Sequence, residues 1–168
     1  RSSDLTSAIQ PSQGDILEIG AIYAHHGFFN SDVRVLNEVL NIAAVPPDKI
    51  QKAALEVNKH DKRIDYTCDS RDDFARKIQN FFKDLPHRPV LIGKFVTTFD
   101  FPWLCYHFPT IFSFDLTRTP FGGFIEISSF QNLFLTGPIF RNNSQHNAMS
   151  DINDDIDYLF RLFYSIKL

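Results

Sequence analysis

The chain has 168 residues, of which 43% are hydrophobic and 18 are phenylalanine, with a formal charge of −3 and a pI of about 6.0. This charge argues against a strongly basic protein that coats nucleic acid without regard to sequence, although a nuclease with a carboxylate site remains compatible with it. No apolar run approaches the roughly 20 residues of a membrane span, so no membrane association is expected.

The cysteine content indicates a compartment. The two cysteines, Cys68 and Cys105, do not form a Cys-x-x-Cys pair, and no apolar leader precedes them. Reduced thiols in a cytoplasmic protein are therefore expected. The many phenylalanines predict an aromatic-rich core or an aromatic-lined groove.

The first half of the chain alternates β-type and helical patterns. Ile16–Ala24 predicts a strand, His25–Gly27 a turn, and Phe28–Leu40 a further strand. A helix is predicted to begin at Pro46, because proline suits the first helical turn. A second helix is predicted after Asp69–Asp73, with four apolar residues facing inward: Phe74, Ile78, Phe81 and Phe82.

The second half begins with a short buried strand, Val90–Gly93, and continues into an apolar stretch around Asp100. Two further β-type runs and a helical segment are predicted after it: Phe112–Leu116, Phe124–Ile127 and Ser128–Leu135. Together these patterns predict one α/β domain, residues 1–168, with a mixed sheet flanked by helices.

The last helix carries the most specific pattern. Apolar residues recur at helical spacing at Ile152, Ile156, Leu159, Phe160 and Phe163. Asp151 directly precedes this stripe and His146 lies five residues earlier, so a carboxylate and an imidazole are expected near the start of the helix. Asp100, with Pro102 after it, has the pattern of a helix N-cap, a role that does not exclude metal binding.

Four stretches in this order resemble the DEDDh 3′–5′ exonucleases of the RNase H-like superfamily. Ile16-Leu-Glu-Ile-Gly-Ala-Ile22 is similar to the second strand of that family, and Ala53–Asn58 to a helix that ends in a turn. Leu91–Leu104, with Phe-Asp100 at its centre, resembles the second motif, and His146-Asn-Ala-Met-Ser-Asp151 resembles the third.

The resemblance implies an RNase H-like sheet and a metal-dependent exonuclease that acts on the ends of single-stranded DNA or RNA. Two Mg²⁺ or Mn²⁺ ions held by carboxylates would clamp the reacting phosphodiester. Carried over by position, Asp4, Asp100 and Asp151 would be metal ligands and His146 the general base. Relatives often pair, so a homodimer is a further expectation.

Two departures keep a second hypothesis open. Thr6 stands where the family has a catalytic glutamate, and Lys94-Phe-Val replaces the usual His-Asn lead of the second motif. A neutral hydroxyl is a weaker ligand than a carboxylate, so the chain could instead be an inactive exonuclease-like module that binds nucleic acid or a protein. A third alternative is an α/β domain in which the motif matches are accidental.

Overall fold

The computed structural model describes residues 10–25, 33–127 and 148–165. Within these residues the strands are β1 (Glu18–Ala24), β2 (Val33–Val39), β3 (Val90–Gly93) and β4 (Gly123–Glu126). The α-helices in the same ranges are α1 (Lys52–Asn58), α2 (Arg71–Lys83), α3 (Phe101–His107) and α4 (Ala148–Ser165). The chain is therefore a mixed α/β protein, as the sequence pattern predicts.

The described strands pair in two small sheets. β1 and β2 are antiparallel, with Glu18 opposite Val39 and Ala24 opposite Val33. β3 and β4 are parallel, with Val90 beside Gly123. Both pairing directions are present, but within the described residues they occur in two two-stranded sheets and not in one continuous mixed sheet.

The core is rich in phenylalanine, as the composition predicts. Phe112 and Phe121 stack with ring centroids 5.7 Å apart, and Phe82 packs edge-on against both of them. Phe101 and Trp103 of α3 are buried in the same cluster.

The predicted strand at Phe112–Leu116 is wrong. Buried Phe112 closes a turn to Phe108, and Ser113 and Asp115 then accept hydrogen bonds from nearby backbone amides, which favours turns over strand pairing.

Of the two predicted helices in the first half of the chain, one needs correction and one agrees with the structure. The helix predicted from Pro46 is instead a 3₁₀ turn, Pro47–Lys49, and α1 begins only at Lys52. The intervening residues are held against another part of the chain, because the Lys49 Nζ donates to the Ser12 carbonyl and Gln51 bonds Gln13. α2 agrees with its prediction and is capped by the Ser70 hydroxyl.

Cys68 and Cys105 are free and buried, which agrees with the prediction of unpaired thiols. Among the described helices, none combines the length and the apolar character that crossing a membrane requires. The prediction of a helix at Ser128–Leu135 lies outside the described residues.

Candidate functional site

Asp100 follows the carboxyl end of the parallel strand β3. A π-helical turn, Val96–Asp100, runs directly into α3, so Asp100 has helical backbone angles (φ −59°, ψ −48°). Its side chain makes no capping hydrogen bond. The predicted N-cap role is therefore wrong, because a cap requires a non-helical backbone. Single π-turns are rare and often occur at functional sites.

The turn before Asp100 is held by a carboxylate of the neighbouring strand. Glu126, the last residue of β4, accepts hydrogen bonds from the Phe95 and Thr97 amides and from the Thr97 hydroxyl. Phe95 has a left-handed backbone (φ 56°), which a bulky residue adopts only when its surroundings impose it. The Glu126 contacts supply that constraint, and they fix the chain that leads to Asp100.

α4 lies very close to β1 at Gly20. A β-carbon placed on Gly20 would lie 2.7 Å from Ile152 Cδ1 and 3.0 Å from Ala148 Cβ. Any larger residue at this position would force Ile152 or Ala148 to shift, so glycine suits the close approach of the helix to the strand. The Gly20 of the family-like strand motif therefore positions the helix that carries the third motif.

Glu18 ties the first turn of α4 to the same strand. Its Oε1 accepts the Ala148 amide hydrogen bond at 2.9 Å, and its Oε2 lies 2.5 Å from Arg63 Nη1. Arg63 is held in turn by Asp65 at 2.6 Å. A carboxylate at the start of a helix satisfies an amide that has no partner within the helix and interacts favourably with the helix dipole.

Asp151 lies beside this anchor, in the first turn of α4. Burial raises the pKa of Glu18 above its ordinary value, and the negative charges of Asp65 and Asp151 raise it further, against the opposing effects of the Ala148 amide and Arg63. One carboxylate oxygen of Asp151 is itself buried. The charge of Asp151 therefore acts on Glu18, and both carboxyl groups are partly withdrawn from water.

An ion pair joins α4 to the element that precedes Asp100. Lys94 Nζ, directly after β3, lies 2.6 Å from Asp155 Oδ1, one helical turn after Asp151. Both side chains are mostly buried. The pair therefore links the segment that leads to Asp100 with the helix that carries Asp151.

The remaining predicted residues, Asp4 and His146, lie outside the described residues, as does Thr6. The structure thus places two of the four predicted site residues, Asp100 and Asp151. Within residues 10–25, 33–127 and 148–165, no group of three potential ligands gathers around one point. Glu18 is occupied by Arg63 and Ala148 and does not substitute for a ligand.

The donor chemistry of the two placed residues suits a hard divalent cation. Carboxylate oxygens are the ligands that Mg²⁺ and Mn²⁺ prefer, and one oxygen of Asp151 is already withdrawn from water. Two carboxylates alone make a weak site, so a complete one needs further ligands such as those predicted at Asp4.

Sequence reasoning missed three residues that organise this region: Arg63, Lys94 as an ion-pair partner, and Glu126. Arg63 gives no local signal, because its partner Glu18 is 45 positions away. Glu126 ends a short apolar strand and Lys94 directly follows one, and these positions are their only signal in the sequence.

Comparison with family models found none that matches the chain, and comparison with curated proteins found no similar sequence.

Proposed function

We propose that this chain is a DEDDh-type 3′–5′ exonuclease domain with an RNase H-like fold. It would bind Mg²⁺ or Mn²⁺ through Asp4, Asp100 and Asp151 and hydrolyse the ends of single-stranded DNA or RNA, with His146 as general base. The observation that carries the proposal is the position of Asp151. It lies in the first turn of α4, beside buried Glu18 of the strand that resembles the family's second strand.

The supporting geometry links the second and third motifs. The Lys94–Asp155 ion pair connects the segment before Asp100 with α4, and Gly20 lets α4 rest directly on β1. Convergence of carboxylates from separate elements is what two-metal phosphodiester hydrolysis requires. In such a site His146 would take the proton from the attacking water, a role that histidine side chains commonly have in catalysis.

A second candidate is an exonuclease-like module that binds nucleic acid or protein without cleaving it. Thr6 at the glutamate position favours this function, and so does Lys94, whose ammonium group is paired with Asp155 of the helix that carries the candidate ligand Asp151. A module of this kind could stack bases on phenylalanines near Asp100. Phe101 is buried in the core, whereas Phe95 is nearly half exposed. A stacking role therefore fits Phe95 better than Phe101.

Cleavage of a 3′-labelled or 5′-labelled single-stranded oligonucleotide separates the two candidates. We expect Mn²⁺-dependent shortening from the 3′ end by the wild type and a loss of at least about 100-fold in Asp151→Asn. Asp157→Asn, an exposed acid on the same helix, is the matched control and should cleave normally. Cleavage by Asp151→Asn at the wild-type rate would refute the exonuclease proposal. Binding of the oligonucleotide without cleavage would favour the second candidate.

The same preparation tests the remaining expectations. Comparing DNA with RNA of equal sequence identifies the preferred sugar, and light scattering after gel filtration measures whether the chain forms the expected homodimer.

A further inference from the structure

A cationic cleft lies away from the candidate carboxylate site. It has a volume of about 390 Å³ and opens between the end of α2 and the loop that follows α3. Its cations are Lys83, the last residue of α2, Arg88, which precedes β3, and Arg118 in the loop. Thr110 and Thr119 add hydroxyl groups to the wall.

The cleft and the carboxylate site are at opposite ends of the same parallel strand pair. Arg88 precedes the first residue of β3, whereas Lys94 and Asp100 follow its last. In the same way, the loop that lines the cleft runs into the start of β4, and Glu126 ends that strand. Four residues of strand span about 13 Å, so one ligand group cannot occupy both places.

Arg88 builds the cleft wall. Its Nη2 donates to the carbonyl oxygens of Leu116, Thr119 and Phe121 at 2.5, 3.2 and 2.6 Å. These bonds fix the loop against the strand. Within the described part of the chain, the Nε and Nη1 groups of Arg88 donate to no protein acceptor. The guanidinium group therefore retains N–H donors for a ligand.

The other two cations are not neutralised by the residues that the structure describes. Lys83 and Arg118 donate no side-chain hydrogen bond and form no ion pair there. The nearest acid of the loop is exposed Asp115, which accepts the Thr117 hydroxyl and amide hydrogen bonds at 2.7 and 3.0 Å. These bonds lower the pKa of Asp115, and the Arg118 charge lowers it further. Asp115 thus weakens the positive field at one side of the cleft without occupying it.

The threonines of the wall differ in their access to a ligand. Thr119 is only 4% exposed and its Oγ1 is buried, whereas Thr110 is exposed. The hydroxyl donor that a ligand in the cleft can reach is therefore that of Thr110. Phe82 and Ile111 provide an apolar surface next to these polar groups.

We infer that this cleft binds the phosphate group of a nucleotide, either free or within a nucleic-acid strand. Lysine and arginine together with a hydroxyl donor are the groups that recognise phosphate oxygens, and arginine does so through paired donors. The apolar surface of Phe82 and Ile111 suits the organic part of such a ligand better than a bare inorganic ion. This inference does not depend on the exonuclease proposal, because it uses neither Asp100 nor Asp151.

Isothermal titration of the full chain with adenosine 5′-monophosphate in EDTA tests the inference. EDTA removes divalent cations, so the carboxylate site does not contribute. We expect the wild type to bind the nucleotide with a dissociation constant in the millimolar range or below. We expect no binding of adenosine, which lacks the phosphate. Lys83→Gln/Arg118→Gln should weaken binding by about tenfold or more, because two charge-assisted contacts are lost. Asp115→Asn should strengthen binding two- to threefold by removing an opposing charge.

Matched controls make each outcome decisive. Lys52→Gln/Lys62→Gln removes two lysines outside the cleft and should leave binding unchanged. Lys83 is exposed and Arg118 is exposed, so their variants are expected to fold, which circular dichroism checks. Equal affinity in Lys83→Gln/Arg118→Gln and the wild type would overturn the inference, as would equal binding of adenosine or no binding at 10 mM nucleotide.

Two further titrations identify the source of the phosphate and separate the two proposals. If a ten-nucleotide single-stranded nucleic acid without terminal phosphates displaces the mononucleotide, the cleft binds phosphates within a nucleic-acid chain. If only the mononucleotide binds, the cleft binds a free nucleotide. Asp151→Asn should bind adenosine 5′-monophosphate like the wild type. Failure of nuclease activity therefore leaves the phosphate inference intact, and the reverse also holds.

Discussion

Replacing Glu18 with alanine should destabilise the protein by about 3 kcal/mol and loosen the first turn of α4. The reason is that Glu18 makes two long-range contacts at once, with the Ala148 amide at 2.9 Å and with Arg63 at 2.5 Å. Removal of one partner of a buried ion pair usually costs about 3 to 5 kcal/mol.

For Glu18→Ala, the structure indicates a loss of stability at the lower end of that range. Arg63 keeps Asp65 as a partner at 2.6 Å, so we assign about 2 kcal/mol to the lost pair. The Ala148 amide loses its acceptor, which adds about 1 kcal/mol. Burial raises the pKa of Glu18, which means that folding withdraws a charge from water, and alanine avoids that cost. Glu18→Gln keeps an acceptor for Ala148 and should cost about 1 to 2 kcal/mol.

Urea unfolding at pH 7 measures the free energy, and a thermal scan should show a midpoint lowered by about 6 to 12 °C for Glu18→Ala. Hydrogen exchange should speed up at the amides of residues 148–151. Asp157→Ala is the matched control, because its ion pair with Arg161 is largely exposed and should contribute at most about 0.5 kcal/mol. A Glu18→Ala protein within 0.5 kcal/mol of the wild type would refute this account of how α4 is held.

Three further predictions follow from packing and charge. Gly20→Ala should cost about 1 to 3 kcal/mol in urea unfolding because its β-carbon would lie 2.7 Å from Ile152 Cδ1, and Gly20→Ala/Ile152→Val should recover part of the loss; no recovery would contradict the clash. In a double-mutant cycle, Lys94→Met and Asp155→Asn should show a coupling of about 1 kcal/mol, and additive effects would argue against the ion pair. Burial lowers the pKa of His107 from 6.5 to about 4, while the Asp15 carboxylate 3.4 Å from its Nδ1 opposes the shift, and the unfolded chain takes up a proton first as the pH falls. The contribution of His107 is complete above pH 6.5 and declines by about 3 kcal/mol towards pH 4. His107→Gln should flatten urea stability across that window, and an unchanged slope would contradict the assignment.

Local sequence patterns predict a strand or helix well where the apolar residues of that segment alone form its buried face. Ile16–Ala24 and Val90–Gly93 are apolar runs bounded by turn signals, and the structure has strands at both places. The prediction that the second strand is buried is wrong, because Val90 and Ile92 are exposed. α2 has a cap and an apolar stripe within 13 residues, and its prediction is accurate. Phe112–Leu116 has the same apolar character as a strand, but Phe112 is buried by a turn while Phe114 is exposed, and the local pattern does not reveal this difference.

The candidate site is less accessible to sequence reasoning because its organisation is non-local. Glu18 and Ala148 are 130 positions apart, and no pattern in either segment indicates that they bond. The π-turn that changes the role expected of Asp100 depends on Glu126 of the neighbouring strand. Short motifs therefore identify Asp100 and Asp151 as candidate site residues. The residues that position their backbone segments become apparent only from the fold.

The central claim is that Asp151 and Asp100 contribute to a divalent-cation site, and a thermal-shift titration with Mn²⁺ tests it most directly. A cation that binds only the folded chain should stabilise it by about 2.7 kcal/mol at one hundred times its dissociation constant, which corresponds to a rise of several degrees in the midpoint. The account predicts this rise in the wild type and in Asp157→Asn, and its loss in Asp151→Asn and Asp100→Asn. An equal rise in all four proteins, or no rise in the wild type, would contradict the claim.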